Sequence, residues 1–345
     1  MPLFYNGSGV EVNVTGSELW IDVEVNFDTY EPWIWTEING AFISRQMLLP
    51  GSYPLCLFRG MSPDTVKNVR FCRELQAMSE DNGCRLLVKG FRCDGKFLPV
   101  ASKRLKLEFI GDSITSGEGT YGAREDMDWI PMYMSVSQNY AKIISDALDA
   151  EYRLVSQGGW GVLCGWDNDP RHNITSCYEQ ICGLAQGEIN KRLGAGKAYD
   201  FAAWVPDAII VNLGTNDASA FKQPEWREPE SGRTFKQRIQ EDGTYHPEDI
   251  DRFKEAVVNF LEMVRRNNPS SHIVWTYGML GYELAIAIAD AMDTYQRRTG
   301  DSNIAFLQLP NTTGETIGSR THPGIKSHIR AAQEIIEYLE TVYKI

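Results

Sequence analysis

Three short runs in this sequence hold residue types that can carry acyl transfer. Gly111-Asp112-Ser113-Ile114-Thr115 ends the apolar-rich segment Leu105-Lys106-Leu107-Glu108-Phe109-Ile110. Gly214-Thr215-Asn216-Asp217 follows Ala208-Ile209-Ile210-Val211, and Thr321-His322-Pro323 precedes the last helical stretch. A buried strand that delivers a serine into a turn of small residues is one way to present a nucleophile. Such a serine needs a base and donors for the oxyanion that develops on its substrate. The five histidines are His172, His246, His272, His322 and His328. His322 is the best-placed base, because Pro323 and Gly324 hold it in a rigid loop just before a helix. His272 opens a strand, His328 lies within the final helix, and His172 and His246 sit in polar loops.

The elements that must position these residues divide the chain in two. Residues 1–103 read as an all-β domain. The run Leu19 to Val25 alternates over its second half, and Trp33-Ile34-Trp35, Leu55 to Phe58 and Arg85 to Val88 add short strands. Turn residues at Asn39-Gly40, Pro50-Gly51, Asn82-Gly83 and Asp94-Gly95 punctuate them. This spacing predicts a sandwich or jelly roll. Residues 104–345 alternate strand with helix. Strands are expected at Tyr152 to Val155, Ala208 to Val211, Ile273 to Trp275 and Ile304 to Leu307. Helices are expected at Ser137 to Ala150, Pro247 to Arg265, Tyr282 to Gln296 and Gly324 to Tyr343. Such alternation implies an α/β fold whose mostly parallel sheet is covered by helices on both faces. Ser113 and Asn216 then fall just beyond the carboxyl ends of strands, where sites in these sheets lie. The polar stretch 218–246 reads as an excursion or lid.

Composition narrows the chemistry. The formal net charge of −12 argues against a nucleic-acid surface and against anionic lipid. Neutral partners such as sugars or simple esters fit it. The seven cysteines have no paired zinc-ligand spacing and read as reduced thiols. Met1-Pro2-Leu3-Phe4-Tyr5 shows neither a basic nor an apolar leader region, so the expected compartment is the cytoplasm. Asn13-Val14-Thr15 and Asn173-Ile174-Thr175 match the glycosylation sequon, which carries no weight without secretion. Gly117 to Gly122 fits GxGxxG but does not open directly from a strand or lead into a dinucleotide-fold helix. GxSxG, HExxH and P-loop motifs are absent. Neither a metal nor a cofactor is expected.

Gly111 to Thr115, Gly158-Gly159-Trp160-Gly161, Gly214 to Asp217 and His322-Pro323 together resemble the four blocks of the SGNH (GDSL-type) hydrolases. They stand in the family's order across roughly residues 107–325. With a β-rich domain in front, the chain most resembles carbohydrate esterase family 2, which removes O-acetyl groups from plant polysaccharides and their oligosaccharides. The resemblance implies a flavodoxin-like SGNH domain after a jelly roll. It implies Ser113 as nucleophile and His322 as base. The oxyanion hole it implies comprises the Ser113 and Gly159 N–H groups and the Asn216 amide, with Gly159 preferred to Gly158 or Gly161 for the Trp-Gly that follows it.

One departure stands out. Many SGNH enzymes place an Asp three residues before the histidine, and here that position is Ser319. Either a backbone carbonyl or a remote carboxylate must orient His322, and a Ser-His dyad is tolerated in family 2. Asp112 and Asp217 read as turn-bracing residues rather than triad members. Trp160, Trp166 and Tyr277 are candidate sugar platforms, because an apolar ring suits a sugar's C–H face. The expected activity is deacetylation of manno-, gluco- or xylo-configured saccharides through an acetyl-enzyme. The alternatives are an SGNH esterase, lipase or thioesterase on non-carbohydrate esters, and a carbohydrate-binding protein with little activity. The sequence leaves the oligomeric state open.

Overall fold

The strand Leu105–Gly111 has side chains buried on both faces, as expected for the interior of a parallel sheet. A computed structural model, which describes residues 1–345, shows how the chain builds around it.

Eight strands come first: β1 (Gly9–Val14), β2 (Glu18–Asn26), β3 (Trp33–Ile38), β4 (Ala41–Met47), β5 (Gly51–Arg59), β6 (Lys67–Arg73), β7 (Arg85–Cys93) and β8 (Phe97–Leu98). They pair antiparallel in two sheets, ordered β4-β3-β6-β1-β8 and β5-β2-β7. In β2 every second residue is buried: Leu19, Ile21, Val23 and Val25. They join Ile34 of β3, Val69 and Phe71 of β6, and Leu86 and Val88 of β7 in one apolar core. Burying each such side chain contributes about 1.5–3 kcal/mol.

The second region holds β9 (Leu105–Gly111), α1 (Ser113–Ser116), α2 (Tyr140–Ala147), β10 (Ala150–Ser156), α3 (Glu188–Arg192), β11 (Ala208–Asn212), α4 (Thr215–Ala220), the two-residue strands β12 (Trp226–Arg227) and β13 (Thr234–Phe235), α5 (Pro247–Asn267), β14 (His272–Gly278), α6 (Ala285–Thr299), β15 (Ile304–Leu309) and α7 (Ile325–Tyr343). Its parallel sheet is ordered β10-β9-β11-β14-β15. Alternate residues feed opposite faces. Ile209, Val211, Ile273 and Trp275 pack with Phe253, Val257, Phe260 and Leu261 of α5. Ala208, Ile210, Val274, Leu107 and Phe109 pack with Tyr140 and Ile144 of α2 and Ala332, Ile335 and Leu339 of α7. No helix is long and apolar enough to cross a membrane.

Counted along the chain, the parallel strands run 2-1-3-4-5, so the direction of winding reverses beside β9. Ligands of open α/β sheets bind in the crevice at that reversal, beyond the strands' carboxyl ends. The segment between β6 and β7 reaches across from the sandwich toward this crevice. Buried Glu74 accepts hydrogen bonds from Ser135 Oγ (2.6 Å), Ser137 N–H (3.0 Å) and Ser137 Oγ (2.8 Å), and pairs with Arg45. The expected polar excursion at 218–246 carries the short β12–β13 pairing.

Candidate active site

Ser113 is the first residue of α1, directly after β9, and Asp112 caps that turn by accepting the Ile114 N–H at 3.0 Å. His322 Nε2 lies 3.0 Å from Ser113 Oγ, although the two residues are 209 positions apart. The other ring nitrogen, Nδ1, is 2.9 Å from the carbonyl oxygen of Arg320. A carbonyl only accepts, so Nδ1 carries the proton and Nε2 is left to accept from the Ser113 hydroxyl. Position 319 takes no part in this contact. Ser319 is fully buried and donates to Tyr121 O at 2.8 Å.

The turn Ser319–Thr321 that presents the carbonyl is strained. Arg320 and Thr321 have φ of 53° and 57°, a region that non-glycine residues, and β-branched ones above all, rarely adopt. Backbone contacts hold it: Arg320 N–H donates to Asp126 O (2.7 Å), His322 N–H to Ser319 O (3.0 Å) and Gly318 N–H to His322 O (2.8 Å). The bed beneath is Gly117-Glu118-Gly119. A Cβ on Gly119 (φ +82°) would stand 2.5 Å from His322 Cβ, so only glycine lets the histidine come this close. Buried Glu118 accepts Arg320 Nε–H at 2.8 Å, and its Oε1 lies 3.7 Å from His322 Nδ1.

The backbone N–H groups of Ser113, at the start of α1, and of Gly159, in the loop after β10, have no partner within the protein. The neighbouring Gly158 N–H is already taken, donating to Gln76 Oε1 at 2.7 Å. That separates Gly159 from Gly158 as a donor. Asn216, second residue of α4, sends its amide N–H groups to Asp112 Oδ2 (3.2 Å) and Trp160 O (3.0 Å). Asp217 accepts the N–H groups of Val162 (2.9 Å), Leu163 (2.8 Å) and Cys164 (3.2 Å), fixing the loop that carries Gly159. Both aspartates are fully buried. Burial, followed by the nearby Asp217 and Glu118 charges, pushes Asp112 up to about 7 against the pull of the Ile114 N–H. Burial pushes Asp217 up to about 6 despite its three N–H donors. No group of His, Cys, Asp and Glu side chains is arranged to hold a metal.

The sequence pattern of the GDSL-like lipase/acylhydrolase family matches residues 107–335, about two thirds of the chain. The chain belongs to the GDSL-like lipase/acylhydrolase family. It is 57% identical to an acetyl xylan esterase from the rumen bacterium Butyrivibrio proteoclasticus, with a TM-score of 0.98 over 100% of this chain and 92% of that one. It is 25% identical to a cellulase/esterase of Acetivibrio thermocellus, covering 96% of this chain and 36% of that protein. The fold is also that of a family two carbohydrate esterase from Clostridium thermocellum solved in complex with cellohexaose (TM-score 0.81, 23% identity, 99% and 94% of the two chains). The chain spans between 36% and 58% of the length of the curated relatives it matches.

The three aromatic candidates separate. Trp166 is 50% exposed and stands beside Gly159, to whose carbonyl its backbone N–H donates at 3.0 Å. Trp160 is partly buried, its ring stacked on His172 with centroids 5.2 Å apart. Tyr277 is a correction. It is 1% exposed, packed among Leu284 and Ile288 under Gly214, and its ring offers no open face to a sugar. Gln76, Glu118 and Arg320 were not singled out from sequence. Glu118 lies inside the glycine run set aside as a nucleotide motif, and the close glycine spacing was a usable sign of tight packing.

Proposed function

We propose that this chain is a serine esterase that removes O-acetyl groups from xylan-type or related saccharides. The 57% identity over the whole chain to an acetyl xylan esterase carries the reading, and the 3.0 Å contact between His322 Nε2 and Ser113 Oγ supplies its chemistry. Ser113 Oγ attacks the acetyl carbonyl while His322 Nε2 takes the hydroxyl proton. The resulting oxyanion is received by the Ser113 and Gly159 N–H groups and by the Asn216 amide, which gives up its contact with Trp160 O to do so. His322 returns the proton to the departing sugar oxygen, leaving an acetyl-serine. A water molecule, activated by the same nitrogen, then releases acetate and restores Ser113. In this reading Trp166 and Trp160 line the approach of the sugar. The buried thiols of Cys72, Cys84, Cys164, Cys177 and Cys182 are in keeping with a cytosolic enzyme working on imported oligosaccharides.

The test is acetate release from acetylated xylo- and manno-oligosaccharides, with p-nitrophenyl acetate and a longer-chain p-nitrophenyl ester alongside. Release from the sugars, little turnover of the longer ester and none by Ser113→Ala are expected. Turnover of aryl esters alone overturns the carbohydrate assignment and keeps the hydrolase. No turnover of any substrate overturns both.

A further inference from the structure

We propose that Glu118 is the positioning residue for His322, acting through Arg320. The proposal rests on the esterase reading and deepens it. A Ser-His pair without a carboxylate on the ring depends on the carbonyl that receives Nδ1–H, and here that carbonyl belongs to a strained turn. Two successive residues at positive φ, one of them a threonine, persist only where surrounding contacts over-determine them. On the Arg320 side chain the strongest such contact is the ion pair with Glu118, Nε to Oε1 at 2.8 Å, with the carboxylate side chain only 5% exposed. Arg320 Nη1 adds a hydrogen bond to Met127 O at 3.1 Å.

Glu118 is itself rigidly seated. Its N–H donates to Ser113 O at 3.0 Å, tying it to the turn that carries the nucleophile. Oε1 faces both Arg320 Nε and, at 3.7 Å, His322 Nδ1. Oε2 lies within 3.5 Å of where a Cβ on Gly158 would stand. The carboxylate therefore fills the space between the histidine turn and the oxyanion-side loop, and it references both to the serine. Its charge also lies beside the ring that becomes cationic during acyl transfer.

Glu118→Ala is expected to lower kcat for p-nitrophenyl acetate about 10–100-fold, the scale of a misplaced catalytic group, while KM changes little. Glu118→Gln, whose Oε1 still accepts from Arg320, recovers most of that loss. Arg320→Ala reproduces Glu118→Ala, and the double variant is no worse than either single one, as for groups acting as a unit. Arg320 is 32% exposed, so its variant carries the test if Glu118→Ala fails to fold. A second readout needs no turnover. In the Ser113→Ala background, the low-field proton resonance of His322 Nδ1–H is expected, and it disappears on adding Glu118→Ala or Arg320→Ala. Persistence of that resonance in folded variants overturns the proposal, as does an unchanged kcat. A wild-type protein inactive on every acetyl ester overturns the esterase reading instead, and the resonance still decides the role of Glu118.

Discussion

Gln76 Oε1 accepts the N–H of Gly158 at 2.7 Å, across 82 residues of chain. Gln76 belongs to the segment between β6 and β7 of the sandwich and is fully buried. Gly158 precedes Gly159, whose N–H has no partner within the protein. The sandwich thus holds the loop that supplies an oxyanion donor, and the N-terminal region is part of the site's framework.

Gln76→Ala removes one of that loop's tethers, leaving those to Asp217, without removing any reacting group. The expected result is a fall in kcat of about tenfold to a hundredfold for p-nitrophenyl acetate, with KM nearly constant, because a displaced donor is felt most in the transition state. Steady-state kinetics beside a circular-dichroism melt checks it. A kcat within twofold of wild type, with the fold intact, shows that Gly159 is held without Gln76.

Asn216→Ala removes a side-chain donor that Asp112 Oδ2 orients at 3.2 Å. Loss of one oxyanion-hole donor costs about 10²–10³ in kcat. The substitution leaves Asp112 and Trp160 O without that partner, so stability is measured in parallel. A fall in kcat of that size, with a lowered melting temperature but an intact fold, is the expected pattern.

Ser319→Ala makes the opposite split. The hydroxyl donates to Tyr121 O and makes no hydrogen bond to the imidazole. The bond is part-buried, and losing it costs about 0.5–1.5 kcal/mol of stability. A lower melting temperature with kcat within a few-fold of wild type is expected. A thousandfold loss of rate would return position 319 to the orienting role that an acid fills in many SGNH enzymes.

Legibility in the sequence followed the physics of each element. β9 and β11 are buried on both faces, so they stand out as apolar runs, and with them Ser113 and Asn216. β4 and β6 do not. β4 is a largely exposed edge strand with no alternating apolar signal, and β6 begins and ends with buried charges, Lys67 and Arg73. The helix expected from Ser137 begins at Tyr140, because Asn139 caps it by accepting the Lys142 N–H. Of the two ways left open to orient His322, the structure uses the Arg320 carbonyl for the direct contact and sets a carboxylate, Glu118, behind it. Glu118 and Arg320 are 202 positions apart. A polar pair closed over that distance leaves no local pattern, whereas a helix or strand repeats its own.

Titration of the buried groups gives a stability profile with a definite sign. Asp112 and Asp217 are raised from an ordinary value of 3.8 to about 7 and about 6. The folded chain therefore keeps protons that the unfolded chain has released. Their contribution is complete below about pH 4 and is lost as pH rises through 6 and 7. His328, fully buried and accepting the Tyr140 N–H at Nδ1, is lowered by burial from 6.5 to about 3. Its contribution is complete above pH 6.5 and is lost as pH falls toward 3. The two trends oppose each other between pH 4 and 6.5, and only the aspartates act between 6.5 and 8. Melting temperature is thus expected to fall from pH 6 to pH 8. Asp112→Asn, which mimics the protonated side chain, should flatten that fall. Between pH 5 and pH 8 the flattening is on the order of 3 kcal/mol, from roughly two units at 1.36 kcal/mol each. Denaturant unfolding of both proteins at pH 5, 6.5 and 8 measures it, and parallel curves would mean that Asp112 is already ionised in the fold at pH 5.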